Sequence, residues 1–432
     1  MTGPITLVLG MLFATLAGGM WVGPALMSIG IVALEIYRDM RVDRFLGGDI
    51  WSTATAVELV TLPLFILMGE LLVFTKLSEN LFAGLSPWTR RLPGRLVHVN
   101  VMGCALFAAV SGSSAATTAT VGRITLAELL SRGYDRRLAV GSLAGAGTLG
   151  FLIPPSIPMI VYGVVADVSI LELFMAGVVP GILLAACFMG WIAFRAIRDP
   201  SLVPPQEPAI PRAEAIRALL NLVPILFMIL FVMSSLYFGF ASITEAAAIG
   251  VLGALIVAVL QRTLTLRGLW MALLGTVKTC SMIGLILVGA LFLSKAMARI
   301  GLPAEIAGAI QSWGLEPWQL IAVLLLFYLA LGCILDGLSA IVMTLPVTLP
   351  LAVAAGYDPI WFGVFLIITI EMAQITPPVG FNLFVIQSMT KEGIFRIAGY
   401  AWPFCVIMMV FTALIVAVPE IVTFLPHSTR GG

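Results

Sequence analysis

Two segments half the protein apart carry the same punctuation. Gly133-Tyr134-Asp135 is followed by Pro154-Pro155, and Gly356-Tyr357-Asp358 is followed by Pro377-Pro378 at the same distance. Both landmarks recur at a single offset of 223 residues, from 133 to 356 and from 154 to 377, so no gap is needed to align them. The chain is an internal duplication. In each copy the pair follows a small, polar break in an apolar run, Ser111-Gly-Ser-Ser-Ala-Ala-Thr-Thr-Ala-Thr120 in the first and Asp336-Gly-Leu-Ser-Ala340 in the second. Broken apolar segments at corresponding positions of two repeats point, in a membrane protein, to a transport site at the repeat interface.

Composition puts the chain in a bilayer. Of 432 residues 60% are hydrophobic and 10% charged, and the mean hydropathy is +1.10, a surface that water would not keep dispersed. A net charge of +1 offers no basic stripe, so no nucleic-acid partner is expected. The five cysteines lie in apolar runs without CxxC spacing and read as buried small hydrophobes, not disulfides or metal ligands. His98 and His427 have no metal-binding neighbour at helical spacing, which argues against zinc. The first apolar run follows Met1 without a basic segment or a small-residue cleavage site, so no cleaved signal peptide is expected.

Runs of about 20 apolar residues, the length that crosses a bilayer, fall into two matching sets that predict an all-α polytopic membrane protein. The organisation expected is scaffold and arm helices over 1–76, then a first transport half over 77–172 with a hairpin at 97–130 and a broken helix at 138–165. Scaffold helices follow over 173–278, including a connector at 195–217 and an arm helix at 265–276. A second transport half spans 279–397, with a hairpin at 318–353 and a broken helix at 360–388, and a last scaffold helix and tail occupy 398–432. The first run is short and could continue into the second.

Lysine and arginine, which collect in cytoplasmic loops, set the orientation. Arg90, Arg91 and Arg95 precede the first hairpin and Arg132, Arg136 and Arg137 follow it, so both its ends are cytoplasmic and it re-enters without spanning. Glu316 and Asp358 flank the second hairpin, which should enter from outside. With an odd number of crossings per copy, the repeat is expected to be inverted. The topology places sixteen basic residues inside and six outside, with Arg123 within the hairpin, of 23 in all. Arg38, Arg41 and Arg44 violate it locally; Asp39 and Asp43 interleave with them, and 44–52 reads as part of an arm helix on the membrane surface, with its counterpart at 265–276.

A broken helix at membrane depth must face protein or a water-filled cavity, because its freed backbone groups cannot be left in hydrocarbon. At the first hairpin tip, Gly112, Ser113 and Ser114 offer the hard oxygens a small cation prefers. Opposite them, Thr148, Gly150 and Pro154 lie in a segment whose prolines free carbonyls. The second copy offers Asp336 and Gly337 at the tip, with Thr376, Pro377 and Gly380 opposite. Small-residue clusters also let helices approach, and prolines also simply kink them; recurrence at one offset is what favours a site. Among intramembrane acids, Asp336 and Glu371 lie beside the breaks, Glu245 starts a helix, and Glu70 could face a partner or an interface.

These residues closely resemble the large membrane subunit of tripartite ATP-independent periplasmic (TRAP) transporters. The most specific stretch is Gly147-Thr-Leu-Gly-Phe-Leu-Ile-Pro-Pro-Ser-Ile-Pro-Met-Ile-Val-Tyr-Gly163, followed by Leu173-Phe-Met-Ala-Gly177 and Pro180-Gly181. Supporting matches are Pro63 to Gly69, Ser111 to Ser114, Thr244 to Ala247 and Thr376 to Phe384; Glu70 departs from the small or amide residue expected after Gly69. The resemblance implies an elevator-type secondary transporter, not an enzyme, in the cytoplasmic (inner) membrane of a bacterium or archaeon. It implies sodium as the coupling ion at the residues above, no other cofactor, and organic acids such as dicarboxylates, keto acids or sialic acids as cargo, with Thr117, Ser156, Ser339 and Asn382 as candidate substrate contacts. The implied partners are a periplasmic substrate-binding protein (P type) and a small four-helix membrane subunit (Q type), supplied as a separate polypeptide. The absence of a Walker loop agrees with a gradient as the driving force. A stand-alone symporter of the same superfamily would share hairpins and proline pairs but need no partners. An intramembrane enzyme is disfavoured, since no catalytic set stands at a plausible spacing.

Overall fold

A computed structural model describes residues 3–38, 42–56, 58–205, 211–302, 305, 308, 316–333, 335–378 and 380–430. Asp39, Arg41, Glu207 and Val379 lie outside these residues. Among the described residues there is no β-strand, and the chain is a bundle of α-helices.

The first half runs α1 (Gly3–Ala17), α2 (Val22–Arg38), α3 (Val42–Ala54), α4 (Glu58–Val73), α5 (Leu77–Thr89), α6 (His98–Ser111), α7 (Ser114–Ser131), α8 (Arg136–Gly147), α9 (Leu149–Leu152), α10 (Ile157–Ala166) and α11 (Ile170–Arg198). The second runs α12 (Arg212–Leu219), α13 (Val223–Tyr237), α14 (Ile243–Leu260), α15 (Leu266–Ile300), α16 (Pro317–Gly332), α17 (Gly337–Ala354), α18 (Pro359–Ala373), α19 (Phe381–Thr390), α20 (Ile394–Ala417) and α21 (Glu420–Arg430). Among the described residues, six helical stretches are long and apolar enough to cross a membrane, or up to eight if each bent pair counts as one. Their outward faces carry large apolar side chains such as Phe227, Leu230 and Phe231, as contact with lipid requires.

The repeated punctuation has a local cause. Gly133 and Gly356 take φ of +81° and +92°, the left-handed conformation that ends α7 and α17 and that glycine alone adopts without a Cβ penalty. Two residues later Asp135 accepts from Leu138 N, and Asp358 accepts from Ile360 N and Trp361 N, capping α8 and α18. Each proline pair then interrupts the next helix, leaving α10 bent by 40° from α8 and α9 across the break, and separating α18 from α19. The arms of the first hairpin are short: α6 has 14 residues and α7 has 18, about 21 and 27 Å at 1.5 Å per residue, less than the hydrocarbon thickness of about 30 Å.

Packing crosses between the halves. The second arm of the first hairpin, α7, lies on α8 of its own half and on α19 of the other; the second arm of the second hairpin, α17, lies on α18 of its own half and on α10 of the other. Outside this group, α2 runs along α15, and α14 along α4. Glycines set the spacing there, with Gly23 against Leu285 and Gly289 against the Gly23 carbonyl.

Three features differ from the sequence expectation. The segment 265–276 is no separate arm: Thr265 caps a helix that continues unbroken for 35 residues to Ile300, with no proline between Leu266 and Ile300 to interrupt it. The short first run does not continue into the second, since Gly18 and Gly19, the latter at φ +75°, end α1. Cysteines are not uniformly buried. Cys104 and Cys405 are buried, but Cys187 is exposed on α11 and Cys280 and Cys333 are half-buried; on the outer face of an apolar span a thiol is simply a small apolar group. The connector is held in place, with Leu202 O accepting from Asp135 N at 2.9 Å and Pro204 O from Arg95.

Candidate functional site

The two hairpin tips and the two breaks meet in the middle of the molecule. Gly112 ends α6 at φ +58°, and a Cβ there would lie 2.9 Å from Pro155 O, so the tip can rest on the break only with glycine at this position. Gly112 O in turn accepts from Ile157 N at 3.3 Å. Ser113 caps α7 by accepting from Ala116 N, and Thr117 and Ser111 close the tip with a hydroxyl contact of 2.8 Å.

Ser114 is fully buried and is shared by both halves. Its Oγ stands 2.8 Å from Glu371 Oε2 and 3.0 Å from Gly147 O, two acceptors for its one proton, and it accepts from Asn382 Nδ2 at 2.6 Å. Glu371 Oε1 accepts from Phe151 N at 3.0 Å, a backbone donor beside the first break. A hairpin tip, the facing break, α18 and α19 thus converge on one hydroxyl and one buried carboxylate. Gly150 makes this possible, since a Cβ on it would lie 2.5 Å from Ser114 Cα. Two buried oxygens beside the network have no hydrogen-bond partner among the described residues, Asn382 Oδ1 and Thr118 Oγ1; Thr118 stands one turn after Ser114 and lies directly over Gly147. Buried polar atoms are nearly always paired; Asn382 Oδ1 and Thr118 Oγ1, open beside the Glu371 carboxyl and Gly147 O, are oxygens of the hard type that could hold a small cation.

Other expected residues are already occupied by their own backbone. Thr148 donates to Gly145 O at 2.6 Å, and Thr376 lies 2.8 Å from Ala373 O. Ser156 bridges the first break, its hydroxyl on Phe151 O and its oxygen capping α10; Pro154 is buried beneath it. Asp336 caps α17 by accepting from Ser339 N at 3.1 Å, and Ser339 is buried one turn in. Gly337 packs against Gln374 and Phe151, where a Cβ would meet side-chain atoms at 2.5 and 2.9 Å. Pro377 O lies 3.3 Å from Cys333 Sγ, and Gly380, at φ +46°, lets the Gln374 and Thr376 carbonyls turn toward it. The structure therefore gathers Ser114, Gly150 and Asn382 in one network with Glu371, and Asp336, Gly337, Thr376, Pro377 and Gly380 in a second group around the other tip.

Ser113 and Ser114, adjacent in sequence, face different ways. Ser113 borders a cavity of about 90 Å³ lined by Ile66, Gly69, Glu70 and Val73 of α4, Ser111 and Ala116 of the hairpin, Ile157 of α10 and Thr279 of α15. Glu245, by contrast, is structural, forming a capping box with Ser242 at the start of α14. Thr118 was not singled out in sequence, although its place one helical turn after Ser114 was a usable signal.

The family model for the tripartite ATP-independent periplasmic transporter, DctM component, matches residues 9–421. The chain belongs to the DctM family of TRAP transporters. It is 31% identical to the C4-dicarboxylate TRAP transporter large permease protein DctM of Rhodobacter capsulatus, over 98% of each chain. It is 29% identical to the sialic acid TRAP transporter large permease protein SiaM of Vibrio cholerae, over 100% of this chain and 99% of that one. In fold it resembles the YdaH transporter of Alcanivorax borkumensis, with a TM-score of 0.62 at 13% identity and 96% and 97% of the two chains covered. As a DctM-family large permease the protein is a multi-pass membrane transporter, not an enzyme.

Proposed function

We propose that this DctM-family permease imports small organic acids, of the dicarboxylate, keto acid or sialic acid type, across the cytoplasmic (inner) membrane, driven by a sodium gradient. The observation that carries this reading is the Ser114–Glu371–Asn382 network with its two unpartnered oxygens, since it joins a hairpin tip to both broken helices. A cation bound there would tie the halves together and hold the tip closed over a substrate, which is how an ion can be coupled to a cargo it does not touch. Asp336, Gly337, Thr376, Pro377 and Gly380 would form a second cation site at the other tip, and Thr117, Ser156, Ser339 and Asn382 would border the substrate.

The two halves would be inverted in the membrane, so that hairpins and broken helices move as one elevator-like body against α2, α4, α14 and α15. A periplasmic binding protein would deliver the acid, and a small four-helix membrane subunit would complete the scaffold; the relatives' names, which are those of TRAP permeases for C4-dicarboxylates and for sialic acid, support this. Reconstitution in proteoliposomes tests it. With the binding protein and small subunit present, uptake of the acid is expected under an inward sodium gradient and to collapse when potassium replaces sodium. Uptake that ignores sodium would refute the coupling, and full uptake without the binding protein would favour a stand-alone symporter.

A further inference from the structure

The two hairpins are copies, yet their outer faces have different surroundings. On α17, Val342, Met343 and Pro346 are buried; their counterparts 223 residues earlier on α7 are Ala119 and Thr120, half-buried, and Arg123, exposed. The broken helices differ in the same sense. Phe381 and Phe384 of α19 are exposed, and their counterparts on α10, Pro158 and Val161, are buried. Packing is the cause: α17 lies on α15, and α10 on α4 and α15, whereas α7 and α19 pack on α5, α6, α8, α9 and α20. One side of the central body is therefore against the scaffold and the other stands open. With the first hairpin entering from the cytoplasm, this is an inward-open arrangement.

Two opposite charges are left over at the open side. Arg123 makes no hydrogen bond or ion pair among the described residues, and neither does Glu70 of α4. Glu70 is level with the hairpin tip: it borders the same cavity as Ala116, and a Cβ on its neighbour Gly69 would lie 3.0 Å from Ser111 O. Ala116, Thr120, Arg123 and Ala127 share one face of α7 at helical spacing. Arg123 stands two turns beyond Ala116, about 10 Å nearer the cytoplasm.

We infer that Glu70 and Arg123 form a latch: they pair in the outward-facing arrangement, when the first hairpin has slid along α4 by about two turns, and are apart in the arrangement seen here. The inference rests on the elevator reading above and adds to it the residue pair that holds one end of the stroke. Inward-open, the exposed Arg123 keeps its hydration. Moving outward carries its guanidinium into the membrane, where a charge is stable only when paired, and Glu70 is the acid at the level it reaches. Other scaffold acids do not suit. Glu35 lies in the last turn of α2, Glu245 is engaged in the cap of α14, and α15 has no acid. The second copy has Pro346 in place of Arg123, and Ala290 in place of Glu70 at the offset of 220 that aligns Ile66-Leu-Met-Gly69 with Ile286-Leu-Val-Gly289. No matching pair favours the inward-open end, so the latch shifts the balance toward the outward-facing one, as a contact made in one state alone must.

Two measurements on the full-length protein in proteoliposomes, with its native cysteines replaced, test the latch. The first is cross-linking by a short dimaleimide. Glu70→Cys is expected to link to Ala116→Cys in the arrangement seen here and to Arg123→Cys in the outward-facing one, with sodium changing the two yields in opposite senses. The second is the ratio of the labelling rate of Ala115→Cys from the cytoplasmic side to that of Leu338→Cys from the periplasmic side, which follows the balance of the two states. Arg123→Gln and Glu70→Gln are each expected to raise this ratio about fivefold and the double variant no further, since each removes the same contact. Should Glu70→Gln not fold, Arg123→Glu gives a second variant, expected to raise the ratio beyond Arg123→Gln because it sets like charges together. An unchanged ratio in folded variants, effects that add in the double variant, or a ratio for Arg123→Glu no higher than for Arg123→Gln overturns the latch, while the reciprocal cross-links leave the elevator reading standing. Cross-linking of Glu70→Cys to Ala116→Cys alone, under every condition, removes the sliding motion and the latch with it.

Discussion

At the scale of single residues, one hydroxyl and one carboxylate carry the centre of the molecule. Replacing Glu371 with Leu leaves the Phe151 amide without its acceptor, while the Ser114 hydroxyl keeps only Gly147 O, and a buried group that loses its partner costs about 1–3 kcal/mol. Glu371→Gln keeps an oxygen for one of them. Thermal unfolding of the purified protein is expected to show a lower midpoint for Glu371→Leu than for Glu371→Gln; equal midpoints would mean the network contributes nothing. Ser114→Ala, which removes the hydroxyl shared by Gly147, Glu371 and Asn382, is expected to raise the sodium concentration for half-maximal uptake several-fold. Unchanged sodium dependence in a folded, inserted variant would take the ion site away from this network. Ser114 and Asn382 were legible as candidates because each lies beside a helix break, and Glu371 was visible as an acid in an apolar run. That these three touch was not legible, since Ser114 stands 257 residues from Glu371 and 268 from Asn382, and spacing along a helix says nothing about such partners.

At the scale of elements, the tips depend on glycines and caps. Gly150→Ala would place a methyl 2.5 Å from Ser114 Cα, so α7 and α9 must part; overpacking of this kind costs about 1–3 kcal/mol. Loss of transport together with a lowered unfolding midpoint is expected, and a variant with wild-type behaviour in both would show that the tip is not in contact with the break. Asp336 poses a sharper question, because it caps α17 through Ser339 N. Asparagine caps as well as aspartate, whereas alanine loses about 1 kcal/mol. Asp336→Asn is therefore expected to keep stability and impair transport if the charge belongs to a cation site, while Asp336→Ala loses both. Transport at the wild-type level in Asp336→Asn would make this residue a cap and nothing more. Helix starts, stops and breaks were readable because Gly, Asp and Pro act locally. The length of α15 was misread because an interfacial composition at one end, Arg267 and Trp270, resembles a separate amphipathic segment when no breaker marks where it joins the span.

At the scale of the whole molecule, duplication explains the crosswise packing. Each hairpin leans on the other half's broken helix, α7 on α19 and α17 on α10, so neither half can complete the centre alone. The duplication and the membrane class could be read from the sequence; this exchange could not, because it depends on how two similar units dock. If the halves are inverted, ligands that prefer one arrangement must shift which side the centre faces. Cysteine accessibility measures that directly. In a protein whose native cysteines have been replaced, Ala115→Cys at the first tip is expected to react with a membrane-impermeant thiol reagent from the cytoplasmic side. Leu338→Cys at the second tip is expected to react from the periplasmic side, and sodium or substrate should change both rates in opposite senses. Labelling of both tips from the same side under every condition would contradict the inverted arrangement and the alternating mechanism built on it.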